Sequence, residues 1–236
     1  MRTACQISAG ALKAGGEAVQ PGVTTKEIDG IIHRFITAAG AKPSFLGYGG
    51  FPASACISVN NEVIHGIPSG KIIHEGDIVS IDVGAYIGGF HGDNAATFPA
   101  GRIADSAVRL LDTTRESLYE GIRAACAGAR IGDIGYAVQS YCEARGFSVV
   151  RKYVGHGVGK NLHEAPDVPN YGTAGRGVRL IPGMTLAIEP MINENGHEVR
   201  VLSDRWTVVT ADGGLSAHFE HSIAVTASGP VILTTL

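Results

Sequence analysis

At 236 residues, 44% hydrophobic and 17% charged, the chain has enough apolar content to bury a substantial core. Its net charge of −3 comes with no long basic run, which argues against nucleic acid or an anionic membrane as partner, and no apolar segment reaches the roughly 18–20 residues that span a bilayer. The N-terminal stretch MRTACQISAGALKAGG lacks a secretory apolar region, and Cys5, Cys56, Cys126 and Cys142 show neither CxxC nor framework spacing, so a reduced, cytoplasmic setting is expected.

A first helix is expected over about residues 3–19, ending before Pro21-Gly22. A second follows, capped by Thr24 or Thr25. Its apolar residues Ile28, Ile31, Ile32, Phe35 and Ile36 fall at i, i+3, i+4, i+7 and i+8, one face of an α-helix, and it stops at Gly40. Next come a Gly/Pro-broken aromatic stretch (PSFLGYGGFP), a strand (ACISV), an Asn60-Asn61 turn and a short segment ending in His65-Gly66.

The run from Ile78 to Asp93, IVSIDVGAYIGGFHGD, reads as a hairpin. Ile78, Val79, Ile81 and Val83 are β-branched strand formers, and Gly88-Gly89 is a turn signal. Asp82 sits among them, although strands avoid aspartate. With the hairpin centred near Ile87-Gly88, Asp82 and Asp93 face each other, their Cβ atoms about 4.5–5.5 Å apart. Two buried carboxylates at that separation need a positive partner, either a basic side chain or a metal.

Further on, Asp105 is expected to cap a long helix whose apolar stripe includes Val108, Leu111, Leu118, Ile122 and Ala125. Another helix runs from about Asp133 to Arg145 and closes at Gly146. Its residues Ile134, Ala137, Val138, Tyr141 and Cys142 repeat the spacing of the 28–36 helix at an offset of 106. The strand GDIVSID, starting at Gly76, matches GMTLAIE, starting at Gly183, at an offset of 107, and each ends in an acid. A nearly constant offset across two element types indicates one α+β domain, residues 1–236, with pseudo-two-fold halves.

Four residues join the aspartates. His156 lies in VGHGVG, His163 in NLHEAP, Glu189 ends the second-half strand before Pro190, and Glu220 lies in SAHFEHSIAV, read as the last strand. Taken singly, Asp93 reads equally as a solvated turn residue, Glu220 as an edge residue facing solvent and His156 as a loop histidine. Together, four carboxylates and one imidazole form a hard, oxygen-rich set of formal charge −4. Such a set suits two divalent ions, with Mn, Fe or Co fitting at least as well as Zn, and two-metal sites of this kind are hydrolytic.

The segments PGVTTKEID, CISVNNEVIHGIP, GDIVSIDVGAYIGGFHGD, GHGVGKNLHEAP, PGMTLAIEPM and FEHSIAV closely resemble those of the type I methionine aminopeptidases, which have the pita-bread fold. The resemblance runs along essentially the whole chain. It implies Asp82, Asp93, His156, Glu189 and Glu220 as ligands of two divalent ions (Co, Mn, Fe or Zn), with Glu189 also moving the water proton. It implies His65 and His163 as the catalytic histidines, also touching substrate, and Tyr48, Cys56 and Trp206 as walls of the methionine pocket. Phe45, Phe51 and Leu162 stand where members often carry Cys, Tyr and Phe; all stay apolar, so Phe51 and Leu162 are counted with that pocket. His218, two residues before Glu220, replaces a usual glutamine and would share a strand face with Glu220.

The implied activity is removal of the initiator methionine from nascent chains, preferring a small second residue. The ribosome is a candidate further partner, and a monomer of the minimal bacterial form is expected. The alternatives are an Xaa-Pro peptidase of the same fold, usually with an extra N-terminal domain, and a non-catalytic binding module, which typically loses the metal ligands.

Overall fold

The computed structural model describes residues 1–235 and contains two similar halves, each a helix pair laid on an antiparallel sheet. The helices are α1 (Arg2–Glu17), α2 (Thr25–Ala38), α3 (Asp105–Ala124) and α4 (Ile131–Glu143). No helix among the described residues is long and apolar enough to cross a membrane.

Helix α2 starts where its sequence dictates. The Thr24 hydroxyl accepts from Glu27 N at 3.2 Å, and the Glu27 carboxylate accepts from Thr24 N at 2.7 Å, a reciprocal capping box. Ile28, Ile32 and Ile36 are fully buried against Leu12 of α1 and the sheet residues Ile57, Val79, Ile81 and Val83. Each such burial contributes about 1.5–3 kcal/mol. Phe35, expected on that stripe, lies at its edge over Gly10 of α1 and stays 40% exposed.

The hairpin forms from Ile78–Ile87 and Phe90–Pro99, with Gly88 and Gly89 both at positive φ, which suits the tight turn that right-twisted strands prefer. Its centre therefore lies one position later than the sequence reading placed it. Asp93 pairs with Gly84, and Asp82 pairs with Ala95 and, on its other side, with Cys56. The two aspartates are diagonal neighbours rather than opposed. A shift of two in pairing preserves the face, so both still point away from the core face carrying Ile81 and Val83.

The second half repeats this plan. Leu118 and Ile122 of α3 and Ile134 of α4 pack on Leu186, Ile188 and Ile223. The sheet beneath runs in the order Gly229–Ile232, His221–Thr226, Thr185–Ile188, Gly155–Gly157, Glu164–Val168. Gly40 and Gly146, the helix-ending glycines, both have positive φ.

Three further sequence readings are corrected. Asp105 is the first helical residue of α3, and Ala104 holds the capping position without a side-chain bond. Val108 is 41% exposed while Leu110 is fully buried, because the core contact sets the phase of the stripe one step away. Glu220 does not lie within the last strand, which is Gly229–Ile232. It falls in the break between Ser216–His218, which pairs with Met191–Asn193, and His221–Thr226, which pairs with Thr185–Ile188.

The halves are stitched together beside the aspartates. The Ser222 hydroxyl donates to Asp93 O at 2.7 Å, and Glu220 N donates to Ala95 O at 2.8 Å.

Candidate metal centre

Each half delivers acids onto the surface between the sheets. Asp82 and Asp93 come from the hairpin ladder, Glu189 from the residue after Thr185–Ile188, and Glu220 from the strand break. His156 is the middle residue of the strand Gly155–Gly157. A Cβ on Gly155 would lie 2.3 Å from Ala187 O, and one on Gly157 2.5 Å from Ala165 O. The strand therefore needs glycine on both sides of His156 to press between its neighbours.

One cavity of about 160 Å³ takes in all five of these residues, together with His65, His163, Tyr48, Phe51, Cys56, Leu162, Trp206 and Phe45. Every site residue expected from the sequence is thus brought to one place. Ligand atoms of Asp93, His156 and Glu220 lie within 4.8 Å of one another. His156 Nε2 is 3.5 Å from Glu189 Oε1 and 3.9 Å from Asp93 Oδ2.

The electrostatics of this cluster favour neutralisation, by protons or by a bound cation. Burial raises the carboxyl pKa of Asp82 to about 7 and of Glu189 to about 8. Asp93 and Glu220 are pushed well above the carboxylate range by burial and then by their neighbouring acids. Asp82 Oδ1, Asp93 Oδ1 and Glu220 Oε1 are buried without a hydrogen-bond partner, and no lysine or arginine lines the cavity among the described residues. Ionised carboxylates left so would each cost several kcal/mol. The hard oxygen-rich donor set fits divalent cations.

The histidines divide into two settings. Burial lowers the pKa of His156 to about 4, and that of His65 also to about 4, so both are neutral at pH 7. His65 holds a left-handed backbone, φ 59°, a strained conformation for a non-glycine residue that clusters at functional sites. The His163 ring lies against that of His156, tilted by 52° with 4.1 Å between centroids, and its Nδ1 meets the Tyr48 hydroxyl at 2.8 Å.

The remaining wall of the cavity is largely apolar. Phe45, Phe51, Cys56 and Leu162 are buried together, with Trp206 packed against them; Phe51 meets Trp206 edge-on at 5.2 Å. Trp206 is held by a turn in which Asp204 accepts from Trp206 N and Thr207 N, both at 2.9 Å.

Several supporting residues escaped the sequence reading. Asp29 of α2 accepts from Ser54 N and Ala55 N at 2.9 and 3.0 Å, fixing the start of the strand that carries Cys56. Asn170 donates to Glu189 O at 3.0 Å. Asp29 lies in the segment PGVTTKEID without a role of its own being legible there, and Asn170 reads as an ordinary loop residue. His218 was marked as a departure, and the structure buries it with Nε2 3.5 Å from Glu189 Oε2.

The metallopeptidase family M24 model matches residues 1–227. The chain belongs to metallopeptidase family M24. Within it, the chain belongs with the methionine aminopeptidases. It is 54% identical over 216 residues to methionine aminopeptidase 1 of Bacillus subtilis (strain 168), covering 92% of this chain and 87% of that protein. It is 52% identical over 236 residues to methionine aminopeptidase of Clostridium perfringens, covering 100% and 95%. The crystal structure of methionine aminopeptidase from Thermotoga maritima superposes with a TM-score of 0.99 at 45% identity, covering 100% of this chain and 95% of that one. The pita-bread fold extends to prolidase from Pyrococcus furiosus, TM-score 0.81 at 22% identity, covering 100% and 62%, a likeness of fold alone.

Proposed function

We propose that the chain removes an N-terminal methionine from polypeptides by hydrolysing the first peptide bond, using two divalent ions held by Asp82, Asp93, His156, Glu189 and Glu220. One observation carries this reading: a single cavity joins a carboxylate–imidazole end to an apolar end lined by aromatic rings and a thiol. An unbranched, polarisable methionine suits that lining, because sulfur–aromatic contacts tolerate irregular shapes. The formal charge of −4 on the donor set supports two ions over one.

Divalent ions held by these five residues would supply Lewis acidity for the scissile carbonyl and a water of lowered pKa. Glu189 would take the proton of the attacking water and pass it toward the leaving amine. His163, its Nδ1 engaged by Tyr48, leaves Nε2 to donate to the developing oxyanion. His65, neutral and half-buried, stands near the scissile nitrogen. The free amine of the substrate is drawn to the carboxylate end, which limits cleavage to the first bond.

We read residues 1–236 as one catalytic domain, since the ligands come from both halves. The four free cysteines support a reduced, cytoplasmic setting in which a monomer meets nascent chains. The test is release from Met-Gly-type, Xaa-Pro and creatine substrates after chelation, with and without added Mn. Methionine release should appear only with metal and favour Gly, Ala or Ser at the second position. Faster release of Lys or Asp, or cleavage before Pro, would overturn the assignment.

A further inference from the structure

The two oxygens of Glu189 face different imidazoles. Oε1 lies 3.5 Å from His156 Nε2, on the side of the Asp93–His156–Glu220 cluster. Oε2 lies 3.5 Å from His218 Nε2. His218 is 1% exposed, and its Nε2 has no hydrogen-bond partner. The backbone on either side of this contact is held: Asn170 fixes Glu189 O at 3.0 Å, and His218 N donates to the Thr97 hydroxyl at 2.9 Å. A buried ring nitrogen left unsatisfied is costly, and the acid beside it has an oxygen to spare. As a metal ligand Glu189 is ionised, and an ionised carboxylate only accepts, so in the loaded site the pair is favourable only with the proton on Nε2.

We propose that His218 is a positioning residue for Glu189: its Nε2–H donates to Oε2, reserving that oxygen and leaving Oε1 turned toward the metal cluster. This deepens the metallopeptidase reading and rests on it for its consequence on metal binding. Partners that orient a metal ligand typically contribute about 10–100-fold to metal affinity or activity.

Two measurements test it. In zinc-loaded protein labelled with ¹⁵N-histidine, the His218 ring should be the neutral Nε2–H tautomer, with that proton shielded from solvent exchange; a bare Nε2 would overturn the proposal. In calorimetric Mn titrations, His218→Phe should bind about 10–100-fold more weakly, while His218→Gln, whose terminal amide reaches the same place with an N–H, should recover most of the loss. Equal affinity in wild type and His218→Phe, or no rescue by Gln, would also overturn it. If wild-type protein bound neither zinc nor Mn, the metallopeptidase reading would fail instead. The tautomer, read in mildly alkaline metal-free protein where Glu189 is ionised, would still decide the hydrogen bond.

Discussion

The two halves share a core plan but present their acids differently. In the first half, Asp82 and Asp93 sit inside a ten-residue ladder whose register is unbroken from Ile78↔Pro99 to Ile87↔Phe90. In the second, Glu189 and Glu220 fall where strands stop, and His156 sits on a three-residue strand whose pairing with Glu164–Val168 is irregular. A ladder orients a side chain through its own backbone bonds, whereas a strand end needs help from outside. That help is visible as Asn170 on Glu189 O, Ala95 O on Glu220 N and His218 beside Glu189. The fold thus places one pair of acids through regular structure and the other through individual contacts.

Removing an acid should give the largest effect. Asp93→Asn should cut Mn affinity by more than the roughly 100-fold upper end of a supporting residue's contribution, measured by calorimetry. The same change should raise the melting temperature of metal-free protein, since it deletes a buried group crowded by Asp82 and Glu189. Next comes the division between the histidines. His163→Ala should lose about 10²–10³-fold in kcat, roughly 2.7–4 kcal/mol, with KM and metal content near wild type. His156→Ala should instead lose metal affinity and recover in part at high metal concentration. Metal depletion of His163→Ala, rescued by excess Mn, would reverse these roles.

The acids also set a pH dependence. Folded pKa values of about 7 for Asp82 and about 8 for Glu189 lie above the ordinary 3.8 and 4.5. As pH rises through that interval the unfolded chain ionises first, so the folded state loses stability. Metal-free protein should therefore soften between about pH 4 and 8. Added Mn, which competes with protons for the same oxygens, should raise the melting temperature more at pH 8 than at pH 5. A larger rise at pH 5 would contradict the buried-carboxylate account.

Much of this was legible in the chain. The helix periodicity and the 106–107 offset named the two halves, and the aspartate inside an apolar strand marked Asp82. The hairpin partner was missed by two because the turn centres on Gly88-Gly89, and a one-position error in a centre doubles in the pairing. SAHFEHSIAV reads as one continuous strand because no Gly or Pro interrupts it; the break arises where the chain leaves one sheet for another, a tertiary event. The exposure of Val108 has the same cause, since α3's phase is fixed by what it packs on. Asn170 and Asp29 act through one and two hydrogen bonds to distant backbone, which no local pattern encodes.

The smallest effect should come from the hairpin turn. Gly88→Ala places a side chain at φ 61° and should cost about 1–2 kcal/mol of stability, read by denaturant unfolding. Metal affinity should stay unchanged, because the ladder rather than the turn holds Asp82 and Asp93. A drop in affinity would show that the turn sets the register.

The central claim is tested most directly by one titration. Protein purified anaerobically and stripped of metal is titrated with Mn while methionine release from a Met-Gly-type peptide and heat of binding are followed together. The expected result is no release without metal and activity rising with the filling of up to two sites, the second weaker. Full activity in exhaustively metal-free protein would contradict it.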